Sequence, residues 1–332
     1  MKTSRLGRTT VDVTALGFGS ASIANLYFEV SPGDAREALE AAWAHGVRYF
    51  DTAPHYGLGL SEQRLGAFLA GKPRDEFTVS TKVGRRLVPN PGAGPNDTDL
   101  AEASFAVLAT SKRVWDFSRD GVRRSLESSL ERLGLSRVDV VLLHDPDDHW
   151  EQAVREGYPA LAELRSQGVI GAIGVGMNQW QMPARFVRET DVDLVMVAGR
   201  YTLLEQPALD ELLPLCSERH VSVVVAAVFN SGILAEPTVQ DNARYNYANA
   251  PAELLNRARH MAEICQRHGV TLPQAAIQFP LGHPAVASVV VGAHYAPQIV
   301  ADAEMIEAPV PAALWNELKE RGLLRQDAPV RT

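Results

Sequence analysis

Eight short, largely apolar runs recur along the chain, at residues 14–18, 47–50, 77–81, 138–143, 170–175, 192–197, 221–228 and 286–291. Most lack a clean apolar–polar alternation, which is the pattern of parallel strands buried on both faces. Amphipathic segments separate them. Ser31-Pro32-Gly33-Asp34 reads as a helix start, with serine as cap and proline in the first turn. Ala35, Leu39, Ala42 and Trp43 then share one helical face, and Gly46 ends the helix. Leu65, Phe68 and Leu69 mark a second helix, and Val122, Leu126, Leu130 and Leu133 a third. Eight β-α units in one chain predict an α/β fold, a closed (β/α)8 TIM barrel. Upstream, Arg5-Leu6-Gly7-Arg8-Thr9 with Val11 and Val13 predicts an N-terminal β-hairpin against the barrel bottom.

The 332 residues exceed a minimal barrel of about 250. The excess falls in residues 84–117, long and irregular with Pro89, Pro91 and Pro95, in residues 236–251, and in the tail after 309. The first two follow strands, so they are expected as long loops on the C-terminal face, where barrels build their sites. No linker or low-complexity run interrupts the chain, and a single domain over 1–332 is the expectation.

An apolar fraction of 46% supports a large core. A net charge of −8 argues against nucleic acid or an anionic membrane as partner. The small basic clusters Lys82, Arg85, Arg86 and Lys112, Arg113 read as solvated surface. Cys216 and Cys265 stand apart within helical segments and read as buried thiols of a reducing compartment. The start leads into no apolar stretch, and no run reaches membrane-spanning length, so a cytoplasmic enzyme is expected.

At or just beyond three strand ends stand titratable residues: Asp51 and Tyr56 in Tyr49-Phe50-Asp51-Thr52-Ala53-Pro54-His55-Tyr56-Gly57, Lys82 after Thr81, and His144 after Leu142-Leu143. A carboxylate, a phenol, an amine and an imidazole form a proton-transfer set. Lysine beside tyrosine is expected to bring the phenol down from its ordinary pKa of about 10. His144-Asp145-Pro146-Asp147-Asp148-His149 also admits a metal reading, but Asp-Pro favours a turn and Asp148 suits a helix cap, so no metal is expected. Gly17-Phe18-Gly19 is not a dinucleotide fingerprint, because Ser22 stands where its third glycine belongs.

These motifs resemble the aldo-keto reductase superfamily, from Leu16-Gly17-Phe18-Gly19 to Val291-Gly292-Ala293. Gly174-Val175-Gly176-Met177-Asn178-Gln179 and Phe229-Asn230-Ser231-Gly232-Ile233-Leu234 resemble its branch of NAD-linked dehydrogenases of L-fucose and D-threo-aldose type and of pyridoxal 4-dehydrogenases. The resemblance implies an NAD(P)-dependent oxidoreductase with Tyr56 as acid/base, Lys82 stabilising its phenolate, Asp51 holding the lysine and His144 orienting the substrate oxygen. It implies oxidation of a cyclic hemiacetal to a lactone; the alternatives are pyridoxal oxidation and NADPH-dependent reduction of aldehydes or ketones. A cofactor-binding regulatory subunit, like the barrel subunits of potassium channels, is a further alternative. Cofactor contacts are expected at Gly19, Ser20, Asp51, Asn178, Phe229, Ser231, Gly232, Leu234, Gly292, His294, Gln298 and Asp302. Gly176 shares the place of a usual serine, Phe229 stands in for a usual tyrosine, and Ala198 replaces a usual glutamine. Residues 292–302 carry no Lys or Arg for a 2′-phosphate, and Asp302 would repel one, so NAD is preferred, with NADP possible. Phe105, Trp115, Tyr245 and Tyr247 are candidate walls for the small-molecule substrate.

Overall fold

The structure is a computed structural model; it describes residues 1–246 and 248–331. Eight parallel strands among these close into a barrel in sequence order: β1 (Leu16–Gly19), β2 (Tyr49–Asp51), β3 (Thr78–Val83), β4 (Val140–His144), β5 (Ala172–Met177), β6 (Leu194–Ala198), β7 (Ser222–Ala226) and β8 (Val286–Val291). The pairing of Gly17 with Val290 closes the ring. All residues of β4, β5 and β8 are buried, in keeping with their largely apolar sequences.

The strands differ from the expected runs at their ends. Thr14 belongs to the hairpin, so β1 begins at Leu16. Ala227 takes a left-handed φ of 52°, which turns the chain and ends β7 two residues early. Helices surround the barrel, among them α1 (Pro32–Ala44), α2 (Leu60–Leu69) and α3 (Arg119–Leu133). Ser31 caps α1 by accepting from Asp34 N at 3.0 Å, as the sequence predicts. In α3 the buried face carries Val122, Leu126 and Leu133.

Two apolar cores follow. The larger lies between strands and helices. The smaller fills the barrel, where Tyr49, Leu142, Leu194, Met196 and Val224 meet Leu6 and Val13 of the hairpin. That hairpin pairs Thr3–Arg5 with Asp12–Thr14 around the predicted turn, and its fully buried Leu6 stops the barrel at the N-terminal ends of the strands.

The segment 84–117, expected to be irregular, holds a two-stranded ladder pairing Arg85–Pro89 with Ser111–Trp115. Pro91, Gly92, Gly94 and Pro95 fall in the connection between the two strands, and Pro89 ends the first of them, so none interrupts the ladder. Arg244–Tyr245 pairs with Ala248–Asn249, and Ala312–Glu320 is a helix anchored by buried Leu314, Trp315 and Leu318. Cys216 and Cys265 are buried free thiols, each pushed up to about 12 by burial. No helix among the described residues is long and apolar enough to cross a membrane.

Candidate active site

Asp51 ends β2, Lys82 is the fifth residue of β3 and His144 ends β4. The neighbouring parallel registers therefore bring all three to one rim of the barrel. Tyr56 comes to the same rim on a tight turn. Gly57 follows it with φ of 58°, and a side chain there would lie 2.5 Å from the Ala24 carbonyl oxygen. Only glycine fits so close an approach.

Lys82 Nζ donates to Asp51 Oδ2 at 2.6 Å and to the Thr52 carbonyl at 3.0 Å. Ser80 Oγ donates to Asp51 Oδ1 at 2.7 Å, and the Tyr49 hydroxyl lies 3.0 Å from Ser80 Oγ. The carboxylate is thus fixed from both oxygens. Lys82 Nζ also stands 4.6 Å from the centroid of the Tyr56 ring. Burial opposes the Lys82 charge, but Asp51 and Tyr56 outweigh it and hold the ammonium above the ordinary lysine value. For Tyr56 the balance falls the other way. Burial raises the phenol, Lys82 opposes through its charge and a hydrogen bond, and the net direction is upward. The expected fall below the free phenol is therefore not met without cofactor: desolvation of a phenolate outweighs one ammonium that Asp51 already neutralises.

His144 is buried among cations. Desolvation first, then Arg85 and Lys82, hold its imidazole well below the usual histidine range, so it is neutral at pH 7. Its Nδ1 is buried without a hydrogen-bond partner. Its ring meets Tyr56 edge-on at 5.9 Å and His55 at 5.5 Å. Burial, then Arg85 and Arg113, lower His55 to about 2. Arg113 Nε donates to His55 Nδ1 at 2.5 Å, which leaves the ring hydrogen on Nε2.

The set faces a cavity of about 570 Å³. One side is made of small residues: Gly19, Ala198, Ala226, Ala227 and Gly292. A side chain on Gly292 would come within 2.3 Å of Ser22 Oγ. This wall leaves room for a flat ring beside Tyr56, and Asn178 and Gly176 border it. Arg200 Nε holds the Asn178 carbonyl at 2.9 Å. Of the expected cofactor residues, Gly19, Asp51, Asn178 and Gly292 line the cavity.

The remaining expected cofactor residues lie elsewhere. Ser20 is fully buried and bonds the Asp51 carbonyl and Ser61. Phe229 packs on the outer core, and Ala226 and Ala227 take the wall expected of it. Leu234 is buried in that same core, while Ser231 and Gly232 form the turn after β7. His294 stacks on Phe28 at 4.6 Å. Gln298 Oε1 accepts from His294 N at 2.8 Å and Tyr295 N at 3.2 Å, capping its own helix (Ala296–Glu307). Asp302 is buried in that helix, and burial pushes its carboxyl up to about 7.

Among the candidate substrate walls, Phe105 lines the cavity. Trp115 is instead an exposed residue lying 4.5 Å over Arg85, and the Tyr245 hydroxyl donates to Glu205 at 2.6 Å. Tyr247 lies outside the described residues.

The reading of Arg85 and Arg113 as solvated surface is overturned. Arg85 pairs with Asp145 at the cavity, and Arg113 grips Asp99 through two bonds of 2.6 Å. Sequence reasoning missed these residues and His55 as site components. Asp145 directly follows His144, and that adjacency was the available signal. Of the carboxylates near His144, Asp145 pairs with Arg85 while its Oδ2 lies 3.8 Å from His144 Nε2, and Asp147 turns away to accept from Gln179 at 3.1 Å.

The sequence profile of the aldo/keto reductase family matches residues 15–321, and the chain belongs to that family. It is therefore an oxidoreductase of the aldo-keto reductase type. It is 50% identical to a D-threo-aldose 1-dehydrogenase from a Pseudomonas species, over 94% of this chain and 95% of that protein. It is 40% identical to a pyridoxal 4-dehydrogenase from Microbacterium luteolum, over 96% and 97% respectively. Among solved structures, an aldo-keto reductase from Bacillus halodurans superposes with a TM-score of 0.77 at 24% identity, covering 100% of this chain and 98% of that one.

Proposed function

We propose that the protein is an NAD-dependent aldose 1-dehydrogenase that oxidises the cyclic hemiacetal of a sugar to its lactone. The observation that carries this is the buried line Asp51–Lys82–Tyr56 facing a wall of small residues, with neutral His144 beside it. The likeness to a D-threo-aldose 1-dehydrogenase supports the substrate class.

Tyr56 takes the proton of the anomeric hydroxyl as the hydrogen on the same carbon leaves as hydride. Lys82 stabilises the resulting phenolate, and Asp51 keeps the ammonium in place. His144 bonds the reacting oxygen without adding charge, because its imidazole stays neutral. NAD, when bound, would supply the hydride acceptor. Gly19, Ala226, Ala227 and Gly292 leave space for its nicotinamide ring, and Asn178 suits the carboxamide. Preference for NAD over NADP rests on residues 292–302, where no Lys or Arg awaits a 2′-phosphate.

A panel of aldoses and pyridoxal, each with NAD and NADP, tests the reading through the absorbance of reduced cofactor. Aldose oxidation with NAD is expected. Faster turnover of pyridoxal would favour a pyridoxal dehydrogenase, a reading that the Phe105 ring in the cavity also suits. Tighter binding of NADP would move carbonyl reduction ahead.

A further inference from the structure

The cavity carries a charged pair that proton transfer does not use. Arg85 opens the ladder after β3, and Asp145 is the first residue after β4; both face the cavity next to His144. They form an ion pair with each other, and both side chains are largely buried. Arg85 Nε is buried without a hydrogen-bond partner. Asp145 holds a left-handed φ of 44°, and its N–H donates to the Gly176 carbonyl at 3.0 Å. A non-glycine residue in that region is strained, and such strain gathers where a side chain must be aimed.

We propose that Arg85 and Asp145 select a polyhydroxylated ring, the Asp145 carboxylate accepting from one sugar hydroxyl away from the reacting carbon and the Arg85 guanidinium edge that lines the cavity donating to another. This rests on the aldose reading above. An apolar ring seated here strips water from the pair and returns no hydrogen bond, whereas a ring bearing hydroxyls replaces what it removes. A site built to bond a hydroxyl discriminates strongly against an analogue lacking it.

The test compares an aldopyranose with tetrahydropyran-2-ol, the same hemiacetal ring without its other hydroxyls. The unmodified enzyme should show much the higher kcat/KM on the aldose. Asp145→Asn keeps the backbone tolerance and the bulk, and should cut the aldose-to-analogue ratio by about 10–100-fold, the worth of a hydrogen bond to a charged group. Arg85→Lys keeps the ion pair, removes the planar fork of donors, and should lower the ratio in the same direction. A ratio left unchanged in both variants, including an equal loss on both substrates, would mean that the pair only ties the ladder to β4, and would overturn the inference. A wild-type enzyme that oxidises both rings equally well overturns it too, while leaving lactone formation intact. Turnover of neither ring by the wild type removes the functional reading, and the inference with it.

Discussion

Tyr56 is a half-buried phenol at the cavity wall, and its protonation is decided by burial and Lys82 acting in opposite directions. Burial holds the proton on; Lys82 works to release it. In the cofactor-free protein Tyr56 should therefore ionise above free tyrosine, read as the tyrosinate absorbance of wild type minus Tyr56→Phe. Lys82→Met removes the opposing cation and should move this ionisation further up; an unchanged titration would refute the pairing. With NAD bound, the added positive charge should bring the pH–rate inflection for oxidation below the cofactor-free value. Tyr56→Phe itself should lower kcat about 10²–10⁴-fold with little change in NAD affinity, measured by fluorescence titration. These residues were legible because their types announce proton chemistry and each stands at a strand end. His55, Arg85 and Asp145 were not. An arginine has the same letter whether it faces solvent or a buried carboxylate, and only the pairing across 60 residues tells which.

The ladder after β3 is the element that sequence reading lost, because Pro91, Gly92, Gly94 and Pro95 suggested an irregular loop while the paired residues lie to either side of them. Arg113 on its second strand bonds Asp99, and also His55 through Nδ1 and the carbonyl. Asp99 is 2% exposed, so Asp99→Ala leaves a guanidinium nearly sealed from water without its principal counter-charge. Breaking such a pair costs about 3–5 kcal/mol, which urea unfolding should report. Catalytic efficiency should fall with it as His55 loses its fixed tautomer. The barrel strands, by contrast, were legible to within a few residues, since double-sided burial demands unbroken apolar runs. Their ends were set by turns such as Ala227, whose left-handed backbone no propensity announces. Gln298, expected from the sequence as a cofactor contact, spends its oxygen capping a helix, so Gln298→Arg loses that cap whatever charge it adds.

At the scale of the whole molecule, stability should carry a signature of Asp302. Its carboxyl sits at about 7 in the folded chain against an ordinary 3.8, so the folded state holds the proton more tightly than the unfolded one. The group's contribution then falls as pH climbs from about 4 to about 7 and levels off above that. Asp302→Asn should match the wild type near pH 4 and exceed it near pH 8, by at most roughly 4 kcal/mol in denaturant unfolding of the cofactor-free protein. A gain equal at both pH values would assign the effect to packing instead. The hairpin has a consequence for timing. Because Leu6 and Val13 stopper the base, two reactants that meet inside must queue at the opposite end, and the first to arrive is overlain by the second. Departure then mirrors arrival. Product-inhibition kinetics should show one product competing cleanly with its own counterpart and not with the other reactant, and that pair identifies the guest that enters first and leaves last.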